Sequence, residues 1–196
     1  ILNHPYQGGT HLPDITCVTP VFINNRLTFF SANRAHHSDV GGMTPGSMPL
    51  ATEIFQEGLI IPPVKLLRKD RVDPHVMNLI LANVRTPDER QGDLLAQIAA
   101  NHKGRTRLME VVEKYGSEKI VRYTDLIQDY TETILRRTIQ DIPDGSWKFH
   151  DFMDNDGITL DPVRIEAAVT IKGDEAEIDF TGSSPQVQGG INANSA

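Results

Sequence analysis

Ile15-Thr16-Cys17-Val18-Thr19-Pro20-Val21-Phe22 and Arg26-Leu27-Thr28-Phe29-Phe30-Ser31 are two runs rich in β-branched and aromatic residues, separated by Ile23-Asn24-Asn25. Such side chains suit a pleated backbone, and adjacent asparagines tolerate the left-handed conformations of a tight reversal. The stretch therefore predicts a β-hairpin. A polar cluster lies at each end of it: Gly8-Gly9-Thr10-His11-Leu12-Pro13-Asp14 before, and Asn33-Arg34-Ala35-His36-His37-Ser38-Asp39-Val40-Gly41-Gly42 after, running on to Thr44-Pro45-Gly46-Ser47-Met48. Closing the hairpin folds the second cluster back beside the first. His11, Asp14, His36 and His37 then converge.

Imidazole and carboxylate together suit a divalent ion such as Zn, Mn or Fe, and a hairpin gathers distant ligands without a long loop closure. Successive side chains on a strand point to opposite faces, so His36 and His37 serve one ion only if the chain has already turned. One of them is then a ligand and the other a neighbouring or substrate-binding group. The residues alone leave a second reading open, in which these are loop histidines hydrogen-bonded to backbone, because a His-x-x-Asp pair is a short motif.

Gly41 to Pro49 must turn tightly, either exposing N–H groups suited to an anion or forming a surface loop. Leu50 to Gln56 reads as a short helix closed by Gly58, and Leu59 to Leu67, with Pro62-Pro63, as an extended segment. From Asp73 the hydrophobic period becomes helical. Asp73 is an N-cap before Pro74, and Val76, Leu79, Ile80 and Val84 follow at helical spacing. A second helix opens on the capping box from Thr86 to Glu89 and carries Leu94, Leu95, Ile98, Leu108, Val111 and Val112 to Gly116, with Gly104 as a point of kinking or division. Its first turn, with Asp88, Arg90 and Gln91, reads as a solvated cap. A third helix from Ser117 aligns Ile120, Ile127, Tyr130 and Ile134 before Pro143 ends the pattern.

Ser146 to Met153, Val163 to Ile171 and Glu175 to Phe180 alternate apolar and polar, with Lys172-Gly173-Asp174 as a turn. Asp154-Asn155-Asp156-Gly157 reads as a turn, since it lacks the ligand spacing and terminal glutamate of a calcium loop. The expectation is an α+β fold: a β-containing metal-site region over 1–72, a helical segment over 73–142 and an antiparallel β segment over 143–196.

With 196 residues and 39% hydrophobic content the chain can bury a core, as one domain or two small ones. A net charge of −7 provides no basic field, so neither nucleic acid nor an anionic membrane is an expected partner. No run approaches the roughly 20 apolar residues of a membrane span, and a cytoplasmic setting is the default expectation. Cys17 is the lone cysteine, which excludes an intrachain disulfide. The start at Ile1, within an apparent strand, and the finish after Gly189-Gly190-Ile191 lead us to expect a piece of a longer polypeptide.

Asn3-His4-Pro5-Tyr6, Gly8 to Asp14, Ala32 to Gly42, Pro45-Gly46-Ser47-Met48 and Glu53-Ile54-Phe55-Gln56-Glu57-Gly58-Leu59 resemble the hydantoinase B/oxoprolinase family. The resemblance runs on to Phe180-Thr181-Gly182-Ser183-Ser184-Pro185-Gln186-Val187. That family includes B-type subunits of cyclic amide hydrolases and is related to the α subunit of acetone carboxylase.

The resemblance implies a hetero-oligomeric enzyme in which a hydantoinase A-type, ATP-binding subunit is the partner and the B-type subunit opens a small cyclic amide. The absence of a Gly-x-x-x-x-Gly-Lys-Ser/Thr stretch agrees with nucleotide binding elsewhere. The resemblance also implies a divalent metal on His11, Asp14 and His36, with His36 preferred to His37; manganese is the first choice by family and zinc the second by ligand set. Asp39 and Glu53 are the candidate catalytic bases, and Arg34 and His37 the candidate substrate-binding residues. Two alternatives stay open, an ATP-dependent ketone carboxylase and a non-catalytic assembly module. His4 stands where the family has aspartate, which places it either as an added ligand or as a change in activity.

Overall fold

The computed structural model describes residues 1–46 and 49–194; Ser47 and Met48 of the second polar cluster lie outside the described residues. Strands β1 (Asp14–Ile23) and β2 (Arg26–His36) pair antiparallel from Asp14↔His36 to Ile23↔Arg26, with a register shift between Val21 and Phe22. Asn24 and Asn25 turn the chain at φ 49° and 62°, the left-handed pair that a two-residue hairpin loop demands. Pro20 is accommodated because β1 is the edge of a two-stranded sheet, its outer side bridged by Leu2 at Thr16 rather than at the proline. The hairpin is longer than its apolar runs: β2 continues through Asn33, Arg34 and Ala35 to His36, so the start of the second polar cluster is strand.

Beyond it, the expected helix over Leu50 to Gln56 is a single 3₁₀ turn at Ile54–Gln56, and a two-residue hairpin joins β3 (Leu67–Arg68) to β4 (Arg71–Val72). Helix α1 (Pro74–Leu81) is capped as its sequence requires, Asp73 Oδ1 accepting the N–H groups of His75 and Val76 at 3.0 and 3.4 Å. It buries Met77 and Ile80, while Leu79 faces outward.

Helix α2 (Pro87–Tyr115) runs unbroken through Gly104. The glycine serves close approach rather than a kink, since a Cβ there would lie 2.3 Å from Ser31 Oγ of β2. Arg90, Leu94, Gln97 and Asn101 are the buried residues of its N-terminal half, a stripe at helical spacing that is mostly polar. Arg90 is therefore buried rather than part of a solvated cap.

Two compact units result, Ile1–Glu110 with Ala193 and Asn194, and Val111–Asn192. The first is built around Leu12, Ile15, Val40, Ile61, Leu66, Met77, Ile80 and Leu94. The second holds the end of α2, helix α3 (Ser117–Gln140) and a three-stranded antiparallel sheet of β5 (Gly145–Met153), β6 (Val163–Lys172) and β7 (Glu175–Asp179) in the order β5-β6-β7. Glu166 on β6 is buried between Lys148 and Arg164, which hold its carboxyl below the usual range. Helices and antiparallel sheets are segregated along the chain, an α+β fold. No helix among the described residues is long and apolar enough to cross a membrane.

Candidate metal centre

Asp14 is the first residue of β1 and His36 the last of β2, and the ladder register sets them opposite each other. His11 arrives from the turn before β1, where the Asp14 N–H donates to the His11 carbonyl at 3.0 Å. This puts His11 Nδ1 3.4 Å from Asp14 Oδ2 and His36 Nδ1 3.1 Å from Asp14 Oδ1. The two imidazole centroids are 5.1 Å apart and tilted by 33°. One donor atom from each of the three residues falls within 4.8 Å of the others, the one such group of His, Cys, Asp and Glu among the described residues. Two neutral imidazole nitrogens and a carboxylate fit a first-row divalent ion. The His side chains are about half exposed, 46% and 54%, so the open side can admit water and a small substrate.

Arg34 sits two residues before His36 on the same face of β2, its Nε donating to Thr16 Oγ1 at 3.0 Å. His37, on the other side of the pleat, is 1% exposed and pairs through Nε2 with Gln97 Oε1 at 2.9 Å; burial pushes its pKa down. Asp39 is buried too. Its Oδ2 accepts the Arg85 N–H at 2.6 Å, and its Oδ1 takes the Arg85 guanidinium at 2.8 Å and the Gly41 N–H at 3.3 Å. That guanidinium also reaches the carbonyls of Gly41, Gly42 and Thr44, so the glycine loop presents carbonyl oxygens to a cation. Glu53 is exposed at the start of the 3₁₀ turn and makes no capping hydrogen bond. His4 Nδ1 accepts the Tyr6 N–H at 3.2 Å and lies outside the three-residue group.

Three features were not legible in the residues. Glu57 lies within electrostatic reach of His11, burial raising its pKa and the imidazole opposing that rise. Asn3 and Gln97 are buried carboxamides bonded to the chain beside the three donors. A lone Gln on a helix carries no signal of such a role. Elsewhere, burial pushes the Cys17 thiol up to about 11, which keeps it protonated and poorly nucleophilic. Asp156 spends its carboxylate on the N–H groups of Ile158, Thr159 and Gly189, the chemistry of a turn rather than a cation loop.

The family model described as Hydantoinase B/oxoprolinase matches residues 1–196. A Pseudomonas protein named as the putative B-type subunit of a D-/L-hydantoinase is 35% identical over 191 residues, covering 94% of this chain and 32% of its own. The crystal structure of the ATP-dependent caprolactamase from Pseudomonas jessenii superposes with a TM-score of 0.90 at 34% identity, over 98% of this chain and 33% of that one. The nucleotide-free structure of acetone carboxylase has the same fold, with a TM-score of 0.91 at 23% identity over 98% of this chain and 27% of that one. The chain thus spans between about a sixth and a third of the length of the curated relatives it matches. With the whole of its length matched, the chain belongs to the hydantoinase B/oxoprolinase family.

Proposed function

We propose that the chain is the metal-site portion of a B-type subunit in an ATP-dependent cyclic amide hydrolase. The observation that supports this most is the meeting of His11, Asp14 and His36 at the open end of the hairpin in a chain of this family. An unstrained lactam or hydantoin is a poor electrophile. Phosphorylation of its carbonyl oxygen, using ATP held by a hydantoinase A-type partner, would make the carbon reactive and give it a leaving group. A divalent ion, manganese first and zinc second, would supply Lewis acidity and lower the pKa of water at the site.

The chain's own residues prepare that site. Asp14 contacts one imidazole with each oxygen and would help to orient both. Arg34, on the same face, would receive an anionic substrate group. Glu53 is exposed and without a hydrogen-bonded partner at the cap, the condition of a group that could take a proton. Asp39, saturated by Arg85 and Gly41, would act by holding the loop that follows β2.

The test is the full-length protein copurified with its partner, assayed with ATP on a panel of lactams and hydantoins, beside elemental analysis of His11→Ala, Asp14→Ala and His36→Ala. Each folded variant is expected to lose stoichiometric metal and ring opening. Metal and catalysis retained in all three would remove the reading, and ATP turnover dependent on bicarbonate without ring opening would replace it by ketone carboxylation.

A further inference from the structure

Two of the three donors project from strand ends, and the ends of a two-stranded ribbon are where a ladder frays. Something outside the ladder must hold them. The residue after Asp14 is Ile15, and its carbonyl accepts Gln97 Nε2 at 2.8 Å. The residue after His36 is His37, and its Nε2 meets Oε1 of the same Gln97 at 2.9 Å. The second Nε2 proton goes to Asn33 Oδ1 at 2.8 Å. The third donor is secured in the same way, since Asn3 Nδ2 donates to the carbonyl of Leu12, the residue after His11, at 2.8 Å.

We propose that Gln97 is the positioning residue of this site: one buried carboxamide on α2 ties together the residues that follow Asp14 and His36, and so holds those two donors at the separation their strand register gives them. The role rests on the reading of His11, Asp14 and His36 as a metal site. The orientation of the amide is forced, because the Ile15 carbonyl can only accept; both N–H groups are thereby spent and Oε1 must accept from His37. His37 is held as the Nε2–H tautomer. Its backbone N–H donates to the Pro13 carbonyl at 2.8 Å, which closes the link between the two strand ends.

A neighbour provides the control. Asn101, one turn along α2, is as deeply buried and donates to the Cys17 carbonyl at 3.0 Å while accepting from Asn33 at 2.9 Å. Its partners lie three residues from Asp14 and from His36. Removing either carboxamide strands buried backbone and side-chain groups at similar cost, but only Gln97 touches the immediate neighbours of the donors.

The experiment titrates the full-length protein with Mn²⁺, reading free ion by electron paramagnetic resonance, for wild type, Gln97→Leu, Gln97→Asn and Asn101→Leu, with circular dichroism melting on each. Both Leu variants are expected to melt lower. The Gln97 variants should bind Mn²⁺ about 10- to 100-fold more weakly, as losses around a metal's ligands do, and Asn101→Leu within about twofold of wild type. Equal affinity in folded Gln97→Leu and Asn101→Leu would overturn the role while leaving the metal site standing; no binding by wild type would overturn the metal site itself. A second measurement needs no variant: long-range ¹H–¹⁵N spectra of the metal-free chain should show His37 protonated at Nε2, and an Nδ1–H tautomer would contradict the assigned network.

Discussion

Asp14 and Asp156 are both turn-associated carboxylates, yet their surroundings direct them to different uses. Asp156 Oδ1 accepts the N–H groups of Ile158 at 2.9 Å and Thr159 at 2.6 Å, while its Oδ2 accepts that of Gly189 at 3.0 Å. These donors favour the charged form and pull its pKa down to about 2. Asp14 faces two imidazoles and the Thr10 hydroxyl instead, and is left partly open. Linkage gives Asp156 a testable signature. A carboxyl whose folded pKa is below its unfolded value of 3.8 contributes stability that is complete above that value and is lost as pH falls toward the folded pKa of about 2. Denaturant melts of wild type should weaken between those limits by more than melts of Asp156→Asn, which cannot titrate. Equal slopes in the two proteins would show that the turn is not held by the charge.

At the scale of elements, α2 packs on β2 through a stripe that hydrophobic periodicity does not reveal. Gly104 marks the close approach. Replacing it by alanine should add about 0.5–1 kcal/mol of helix preference. Against this, the new Cβ would stand 2.3 Å from Ser31 Oγ, although only 3.5 Å from Ser31 Cβ, an ordinary contact. Gly104→Ala is therefore expected to be neutral or destabilising in wild type and stabilising in a Ser31→Ala background. A double-mutant cycle on unfolding free energies measures the coupling, and strict additivity would refute the contact. The hairpin itself follows from its own residues: the asparagine pair turns it, and the register shift after Val21 is absorbed before the strand ends meet at Asp14 and His36.

At the scale of the whole molecule, the chain matches its family over its full length but spans between about a sixth and a third of its curated relatives. The proposed reaction needs a nucleotide site, and this sequence contains no phosphate-binding Gly-x-x-x-x-Gly-Lys-Ser/Thr loop. Because the proposed reaction draws its ATP from a partner subunit, we predict that the isolated 196-residue chain releases no phosphate from ATP and opens no lactam while still retaining Mn²⁺. Phosphate release and product chromatography check this directly, and ATP-dependent ring opening by the chain alone would contradict it.

What the sequence determined by itself was local. The switch of period from two to 3.6 and back, the Asp73-Pro74 cap, the Asn24-Asn25 turn and the pairing of β5, β6 and β7 all depend on residues close together along the chain. The approach of His11, Asp14 and His36 was also legible, because a hairpin links close residues by a register its turn fixes. The structure decided the partners of the buried polar groups. His37 finds Gln97 60 residues away, Asp39 finds Arg85 46 away, and Asn101 reaches Cys17 84 away. A polar side chain on a helix reads the same whether it meets water or a buried carbonyl. Only packing removes the water, and once it is gone each donor must find an acceptor wherever the fold has placed one.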